Sequence, residues 1–363
     1  MPDKPHHTRP EVQKGVSAPS NLNPNIRSRK TNRTTISVDD YVDGIRRGDR
    51  MLLSRAITLI ESKLDKHRET AQAIIEGCLP YSGASIRIGI TGSPGVGKSS
   101  FIETLGNQVI ESGHQLAVLA IDPSSQVSHG SILGDKTRMG TLTNRKQAYI
   151  RPSPAGDSLG GVARKTRETI VLCEAAGYDT IFIETVGVGQ SEIAVHSMVD
   201  FFLLLLLPGA GDELQGIKRG IVEMADVIAV NKADGDRLKL AKRARQEYQN
   251  ALHLFPPKES HWTPQAVVCS TLSKLGIPEI WKLVESYMGF TQNNGYFHKR
   301  RQDQARYWLE DTIERQLKQQ FYNHPLVRDR LEEIRKQVIE GTLSSFQGAE
   351  QLMQLFSESR KEA

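Results

Sequence analysis

Long hydrophobic runs are missing from this sequence. The longest, Phe201–Leu207, has seven residues and stops at Pro208. A membrane-spanning helix needs about 20 apolar residues, so this run reads as a buried parallel strand and no membrane partner is expected. No apolar segment of the secretory kind stands near the N-terminus. Cysteine is scarce too: Cys78, Cys173 and Cys269 lie far apart with no C-x-x-C pair. That argues against a disulfide framework or a zinc knuckle and for a reducing compartment. Each cysteine is expected to be a small buried apolar residue. An excess of one charge is absent from the body of the chain. Of 47 Lys and Arg and 42 Asp and Glu, seven bases and two acids fall before residue 38, which leaves 40 of each beyond it. The basic character belongs to the tail, so no nucleic-acid face is expected. Cytoplasmic residence is the expectation. The mitochondrial matrix is the alternative raised by a basic, acid-poor tail that nevertheless carries five prolines by position 24 and no amphipathic stripe.

The 363 residues suffice for about two domains. Residues 1–37 are polar and rich in Pro, Asn and Arg and are expected to be a disordered basic tail. Residues 38–85 read as an N-terminal helical segment. Asp49 is placed as an N-cap, followed by Leu52, Leu53, Ala56, Ile57, Leu59, Ile60 and Leu64 at helical spacing. A further helix is expected over His67–Leu79. From 86 to 290 apolar runs alternate with helical stretches: Ile86–Ile90, Gln115–Ile121, Ala148–Ile150, Thr180–Ile183, Phe201–Leu207, Val227–Val230 and Ala266–Cys269. Such alternation predicts an α/β fold, a mostly parallel sheet with helices on both faces. Residues 291–363 turn helical and charged. Leu309, Ile313, Leu317 and Phe321 recur every four residues, Pro325 breaks the run, and Val327, Leu331, Ile334 and Val338 follow. Leu352, Leu355 and Phe356 mark a third helix. Short paired helices at a chain end bury such stripes poorly alone, so a dimerisation arm is favoured over a simple cap.

The richest stretch is Gly92-Ser-Pro-Gly-Val-Gly-Lys-Ser99, which fits G-x-x-x-x-G-K-[ST] between a predicted strand and a predicted helix, Ser99–Val109. The backbone of Gly92, Ser93, Pro94, Gly95, Val96 and Gly97 curls around a phosphate with its N–H groups turned inward, Pro94 shaping the loop without donating, and Ser100 continues into the helix. Lys98 sets a compact positive charge against the β- and γ-phosphates, and the Ser99 hydroxyl suits Mg²⁺. The helix N-terminus favours the same anion.

Asn231-Lys-Ala-Asp234 directly follows a predicted strand, well over a hundred residues beyond that loop. A carboxylate at Asp234 accepts both N1–H and the exocyclic N2–H of guanine, whereas adenine presents an unprotonated N1 there. Asn231 braces the loop, the Lys232 stem covers the ring face, and Ser270-Thr271-Leu272 is where a backbone N–H would meet guanine O6. The expected ligand is GTP or GDP. Asp122, Asp135 and Glu184 join Ser99 as candidate Mg²⁺ ligands, each being also a possible cap or turn carboxylate. Gly187 is placed to offer its N–H to the γ-phosphate. Val188 stands where many GTPases carry a water-orienting Gln, and Gln190 lies two residues on, so slow intrinsic hydrolysis is expected. Lys218 or Arg219, in the glycine-rich polar loop after Pro208, are candidate charge stabilisers or ordinary solvated residues.

Taken together the chain resembles the MeaB/ArgK family of P-loop GTPases. The resemblance rests on Gly92–Ser99, Ile121-Asp-Pro-Ser-Ser, Gly130-Ser-Ile-Leu-Gly-Asp-Lys-Thr-Arg-Met, Glu184-Thr-Val-Gly-Val-Gly-Gln-Ser-Glu, the segment from Leu207 to Gly220, and Asn231-Lys-Ala-Asp-Gly-Asp, and covers roughly residues 40–355. It implies a homodimeric GTPase chaperone for adenosylcobalamin-dependent acyl-CoA mutases, methylmalonyl-CoA mutase in the first place. Such a protein gates cofactor loading, protects the mutase, and holds no cobalamin tightly on its own. It places Ser99, Asp122, Asp135 and Glu184 among Mg²⁺ and switch residues and Gly209–Gly220 in an additional switch segment. His129 stands where many members have Gly. The rival readings are an ATP-dependent kinase linked to basic amino-acid transport and a nickel-insertion GTPase. Asp234 counts against the first; the second would want a metal-ligand cluster, and the one adjacent His pair is His6-His7.

Overall fold

Seven short runs pair side by side, the inner ones buried on both faces and so needing a layer on each side, the two at the edges only partly buried. The computed structural model describes residues 36–121, 139–152, 159–185, 190–209 and 219–358. From Val38 onward the chain gathers into one compact unit. The strands are β1 (Ile86–Gly92), β2 (Leu116–Ile121), β3 (Ala148–Pro152), β4 (Thr180–Thr185), β5 (Phe201–Leu206), β6 (Val227–Val230) and β7 (Gln265–Val268). They form a parallel sheet in the order β3-β2-β4-β1-β5-β6-β7. Ile88 of β1 sits opposite Phe182 of β4 on one side and Phe201 of β5 on the other. The chain leaves β1 toward β2 and β3, returns to β4, then crosses β1 to reach β5. The loops after β1 and β4 therefore open side by side at the carboxyl edge, where such sheets bind ligands.

All six residues of β5 are buried, and alternation divides them between two cores. Leu203 and Leu205 join Phe101, Ile102 and Leu105 of α4 (Lys98–Glu111) with Trp281 and Val284 of α10 (Ile277–Asn293). Leu204 and Leu206 face Val222 of α8 (Arg219–Met224) and Ala241 and Tyr248 of α9 (Arg237–Leu252). Helices α5 (Gly140–Thr143), α6 (Leu159–Ala175) and α7 (Gln190–His196) lie between these in sequence. The three cysteines are buried and unpaired. Among the described residues no helix is long and apolar enough to cross a membrane.

Before the sheet come α1 (Val38–Arg46), α2 (Arg50–Glu61) and α3 (Asp65–Cys78). Asp49 caps α2 as its sequence position suggests, its Oδ1 accepting from the N–H groups of Met51 at 2.8 Å and Leu52 at 3.1 Å. Leu53, Ala56, Ile57 and Ile60 are buried, but Leu64 is exposed because α2 ends at Glu61. Helix α3 starts two residues earlier than the apolar pattern suggested and stops at Cys78, where Pro80 forces a tight turn.

The C-terminal helices are α11 (Tyr296–Asn323), α12 (Pro325–Ile339) and α13 (Ser345–Glu358). Their stripes meet different fates. Val327, Ile334 and Leu352 bury one another with Phe321, Leu331, Val338 and Phe356 around them. Leu309, Ile313 and Leu317 stay exposed at 62%, 47% and 50%. The first half of the 28-residue α11 is anchored to the sheet domain: Arg301 binds Asp200 at 2.5 and 2.7 Å and lies 3.8 Å from the buried Glu174, and Asp311, halfway along, accepts from Arg167 of α6 at 3.0 Å. Arg87 closes that network on Glu174 at 2.8 and 3.0 Å.

Candidate guanine-nucleotide site

At the end of β1 the backbone turns through Gly92–Gly97 into α4. A side chain at Gly92 would drive its Cβ to 2.4 Å from the Leu205 carbonyl oxygen. Gly97, at φ +93°, is the N-cap of α4, and a Cβ there would crowd the Asn231 amide at 3.2 Å. Lys98 folds back so that its Nζ donates to the carbonyl oxygens of Gly92 at 2.7 Å and Ser93 at 3.3 Å. Burial holds the Lys98 ammonium below the usual lysine range, with Glu184 and Glu192 acting in the opposite sense. The Ser93 hydroxyl is buried with no partner among the described residues. A desolvated cation resting on carbonyls and an orphaned hydroxyl in one cradle both suit a phosphate.

Ser99, the second residue of α4, donates to Glu184 Oε1 at 3.3 Å. Glu184 is the penultimate residue of β4, and the next residue, Thr185, donates its buried hydroxyl to Thr91 of β1 at 2.7 Å. That bond pins the ends of the two strands together beside the cradle. A hydroxyl and a carboxylate are hard oxygen donors that fit Mg²⁺, which keeps waters and substrate phosphates for its other positions. Among the described residues no group of three or more His, Cys, Asp or Glu could hold a metal ion. Asp122, Asp135, Gly187, Val188 and Lys218 lie outside the described residues, as does His129, and the side chains of Gln190 and Arg219 do too.

The second half of the site comes from β6. Asn231 is fully buried and donates its Nδ2 to the Val96 carbonyl at 2.9 Å. Its Oδ1 accepts a weak bond from the Cys269 thiol at 3.6 Å. Lys232, at φ +58°, reaches across so that Nζ meets the Gly95 carbonyl at 2.8 Å. The two motifs are thus hydrogen-bonded to each other, through Asn231 to Val96 and Lys232 to Gly95. Ser270 has a duty the sequence did not reveal: its hydroxyl donates to Asp234 Oδ1 and accepts from the Ser273 N–H at 3.1 Å. Its own N–H donates to the Leu275 carbonyl at 2.9 Å, so of the three residues Ser270, Thr271 and Leu272 the first has its amide already engaged. Leu272 is 84% exposed. Glu192 also escaped the sequence reading. It is an acid in the first turn of α7 and reads there as an ordinary helix-start carboxylate, yet it is buried and acts on Lys98. Ser100, inside the first turn of α4, has its carbonyl occupied by Thr104.

A phosphate cradle tied to a carboxylate-bearing base loop at the carboxyl edge of a parallel sheet defines a P-loop GTPase. Comparison with known proteins agrees. Residues 53–325 match the family described as "Methylmalonyl Co-A mutase-associated GTPase MeaB". The chain belongs to the MeaB family. It is 49% identical over 321 residues to a Mycobacterium tuberculosis protein named a probable GTPase, covering 87% of this chain and 96% of that one. It is 44% identical over 329 residues to the mouse methylmalonic aciduria type A homolog, mitochondrial, covering 88% and 79%. GTPase ArgK of Escherichia coli is 42% identical over 312 residues, covering 85% and 93%. Among solved structures, one described as an LAO/AO transport system kinase superposes with a TM-score of 0.71 at 35% identity, covering 88% of this chain and 97% of that one.

Proposed function

We propose that this GTPase acts as a homodimeric, Mg²⁺-dependent chaperone that gates cofactor loading of an adenosylcobalamin-dependent acyl-CoA mutase, methylmalonyl-CoA mutase first among the candidates, and protects it from inactivation. The observation that carries the reading is the match over residues 53–325 to a family described by its association with that mutase. The site chemistry supports the GTP cycle. Lys98 neutralises developing charge on the β- and γ-phosphates, the amides of 95–99 orient them, and Asp234, held by Ser270, selects guanine. Ser99 and Glu184 would hold Mg²⁺, which would supply positive charge against the phosphates. Asp122 and Asp135 complete the proposed ligand set, with Gly187 sensing the γ-phosphate and Lys218 stabilising charge. The exposed Leu309, Ile313 and Leu317 stripe supports pairing of two arms. Buried, unpaired cysteines support a reducing compartment, the cytoplasm, with the mitochondrial matrix as the alternative.

The test combines the purified chain, GTP and Mg²⁺ with a methylmalonyl-CoA mutase from the same source. Faster GTP hydrolysis and a longer-lived mutase are expected in the mixture. Absence of a complex on gel filtration, with both rates unchanged, would reject the client. The transport-kinase description attached to the structural neighbour supplies a second reading, which a competition titration decides: ATP binding as tightly as GTP would favour it.

A further inference from the structure

Helix α7 is only seven residues long, about 10 Å, yet its two ends face different parts of the molecule. It begins six residues after Glu184. Val195 in its middle packs against Gly89 of β1, the strand that runs into the phosphate loop, so closely that a Cβ at Gly89 would stand 3.0 Å from it, and the buried Glu192 in its first turn favours the charged form of Lys98. At the other end its carbonyl groups run out of intrahelical partners, as they must at a helix C-terminus. Ser197 and Met198 meet the carbonyls of Ile193, Ala194 and Val195, and α11 takes the His196 carbonyl and those of the turn that follows. Arg300 donates through Nε to the Val199 carbonyl at 3.0 Å and through a terminal nitrogen to the His196 carbonyl at 3.2 Å. Gln304 Nε2 donates to the Val199 carbonyl at 2.8 Å, and Trp308 Nε1 to the Ser197 carbonyl at 3.0 Å. Three side chains spaced four residues apart on one face of α11 therefore grip the exit of α7.

The same face of α11 continues outward as the first part of the C-terminal arm. Gln304 is the sole buried residue of the helix, and its Oε1 meets no donor among the described residues. A buried amide with half its capacity unmet is costly in a single rigid arrangement. It suits an element that has a second arrangement in which that oxygen is used. We infer that Arg300, Gln304 and Trp308 form a latch through which the guanine-nucleotide state and the position of the C-terminal arm are thermodynamically linked, α7 being the shared element. The inference rests on the nucleotide site described above and goes beyond it. Linkage is reciprocal, so whatever engages the arm shifts the preference between GDP and GTP by the same factor that nucleotide exchange shifts the arm.

The experiment uses the full chain with GDP or with the non-hydrolysable analogue guanosine 5′-[β,γ-imido]triphosphate. Amide hydrogen exchange is followed across residues 300–323, and both dissociation constants are measured. In the wild type, exchange in this segment differs between the two nucleotides. In the double variant Gln304→Leu, Trp308→Phe, which removes two donors while keeping an apolar and an aromatic side chain, that difference disappears and the ratio of the two dissociation constants changes by about 5-fold or more. Equal exchange with both nucleotides bound to the wild type would overturn the latch alone, whatever the variant does. A variant that keeps both the difference and the ratio would overturn it as well. A wild-type chain that binds neither nucleotide would overturn the nucleotide site and the latch with it. Gln304→Leu alone, which also removes the unmet oxygen, serves if the double variant folds poorly.

Discussion

Asn231 and Val96 stand 135 positions apart in the chain, yet the side-chain amide of one donates to the backbone carbonyl of the other at 2.9 Å. That bond fastens the loop after β6 to the loop after β1, so the two segments proposed to recognise base and phosphate are tied together. Lys232 adds a parallel tie to Gly95 at 2.8 Å. The asparagine is fully buried, and removing it leaves the Val96 carbonyl without that partner.

Asn231→Ala is therefore expected to weaken GTP and GDP together, on the order of 10- to 100-fold, with no change in their ratio. Titration with fluorescent analogues of both nucleotides checks it. Unchanged affinity would mean that the frame holds without this tie.

Ser270→Ala removes the hydroxyl that fixes Asp234. A hydrogen bond to a charged group contributes about 1.5–3 kcal/mol, so GTP affinity is expected to fall roughly 10- to 100-fold while weak ATP binding stays as it was. Discrimination narrows from the GTP side. Competition of ATP against bound GTP, run beside Asp234→Ala, reads the effect; a larger loss in the serine variant than in the aspartate variant would contradict it.

His196, the last residue of α7, is desolvated, and Arg300 beside it pushes in the same direction, so its pKa falls to about 4 from 6.5. In the unfolded chain the ring takes up a proton near pH 6.5 that the folded protein refuses until about pH 4. Stability is therefore lost as pH falls through that window, by roughly 3 kcal/mol in total, and levels off below it. Urea unfolding of the wild type and His196→Gln at pH 7 and pH 4.5 tests this. The variant should lose less stability over the interval than the wild type; equal losses would place the acid sensitivity elsewhere.

The seven strands were legible because each is a short apolar run flanked by turn residues, and Asp49 because a cap is a local signal. The two nucleotide motifs were legible because phosphate and guanine chemistry constrain residue types at fixed spacing. What depended on distant partners was not. Nothing near Ser270 shows that its hydroxyl rather than its amide meets the site, since the competing Leu275 carbonyl is brought in by the fold of the loop. Glu192 and the Thr185–Thr91 bond are likewise products of strand order, which juxtaposes β1 with β4 across more than ninety residues. The grip of α11 on α7 could not be read from spacing at all, because Arg300, Gln304 and Trp308 look like the polar face of a solvated helix.

The arm offers the last test. Cutting the chain near residue 290 would strip Arg301 from Asp200 and leave that buried carboxylate without its cation, while Glu174 would keep Arg87, so truncation confounds association with folding. Substitution on the exposed stripe avoids this. Ile313 is 47% exposed and flanked by Leu309 and Leu317 one turn away on either side. A glutamate there costs little in a single copy, since its carboxylate stays in water, but would be buried unpaired if two arms pair along this stripe. Ile313→Glu is therefore expected to halve the mass seen by light scattering while unfolding temperature and GTP affinity stay near wild type. A wild-type chain that is already monomeric, or a variant whose mass is unchanged, would remove the stripe as a pairing surface, and a variant that also loses GTP binding would show that the arm reaches the nucleotide site by a route other than association.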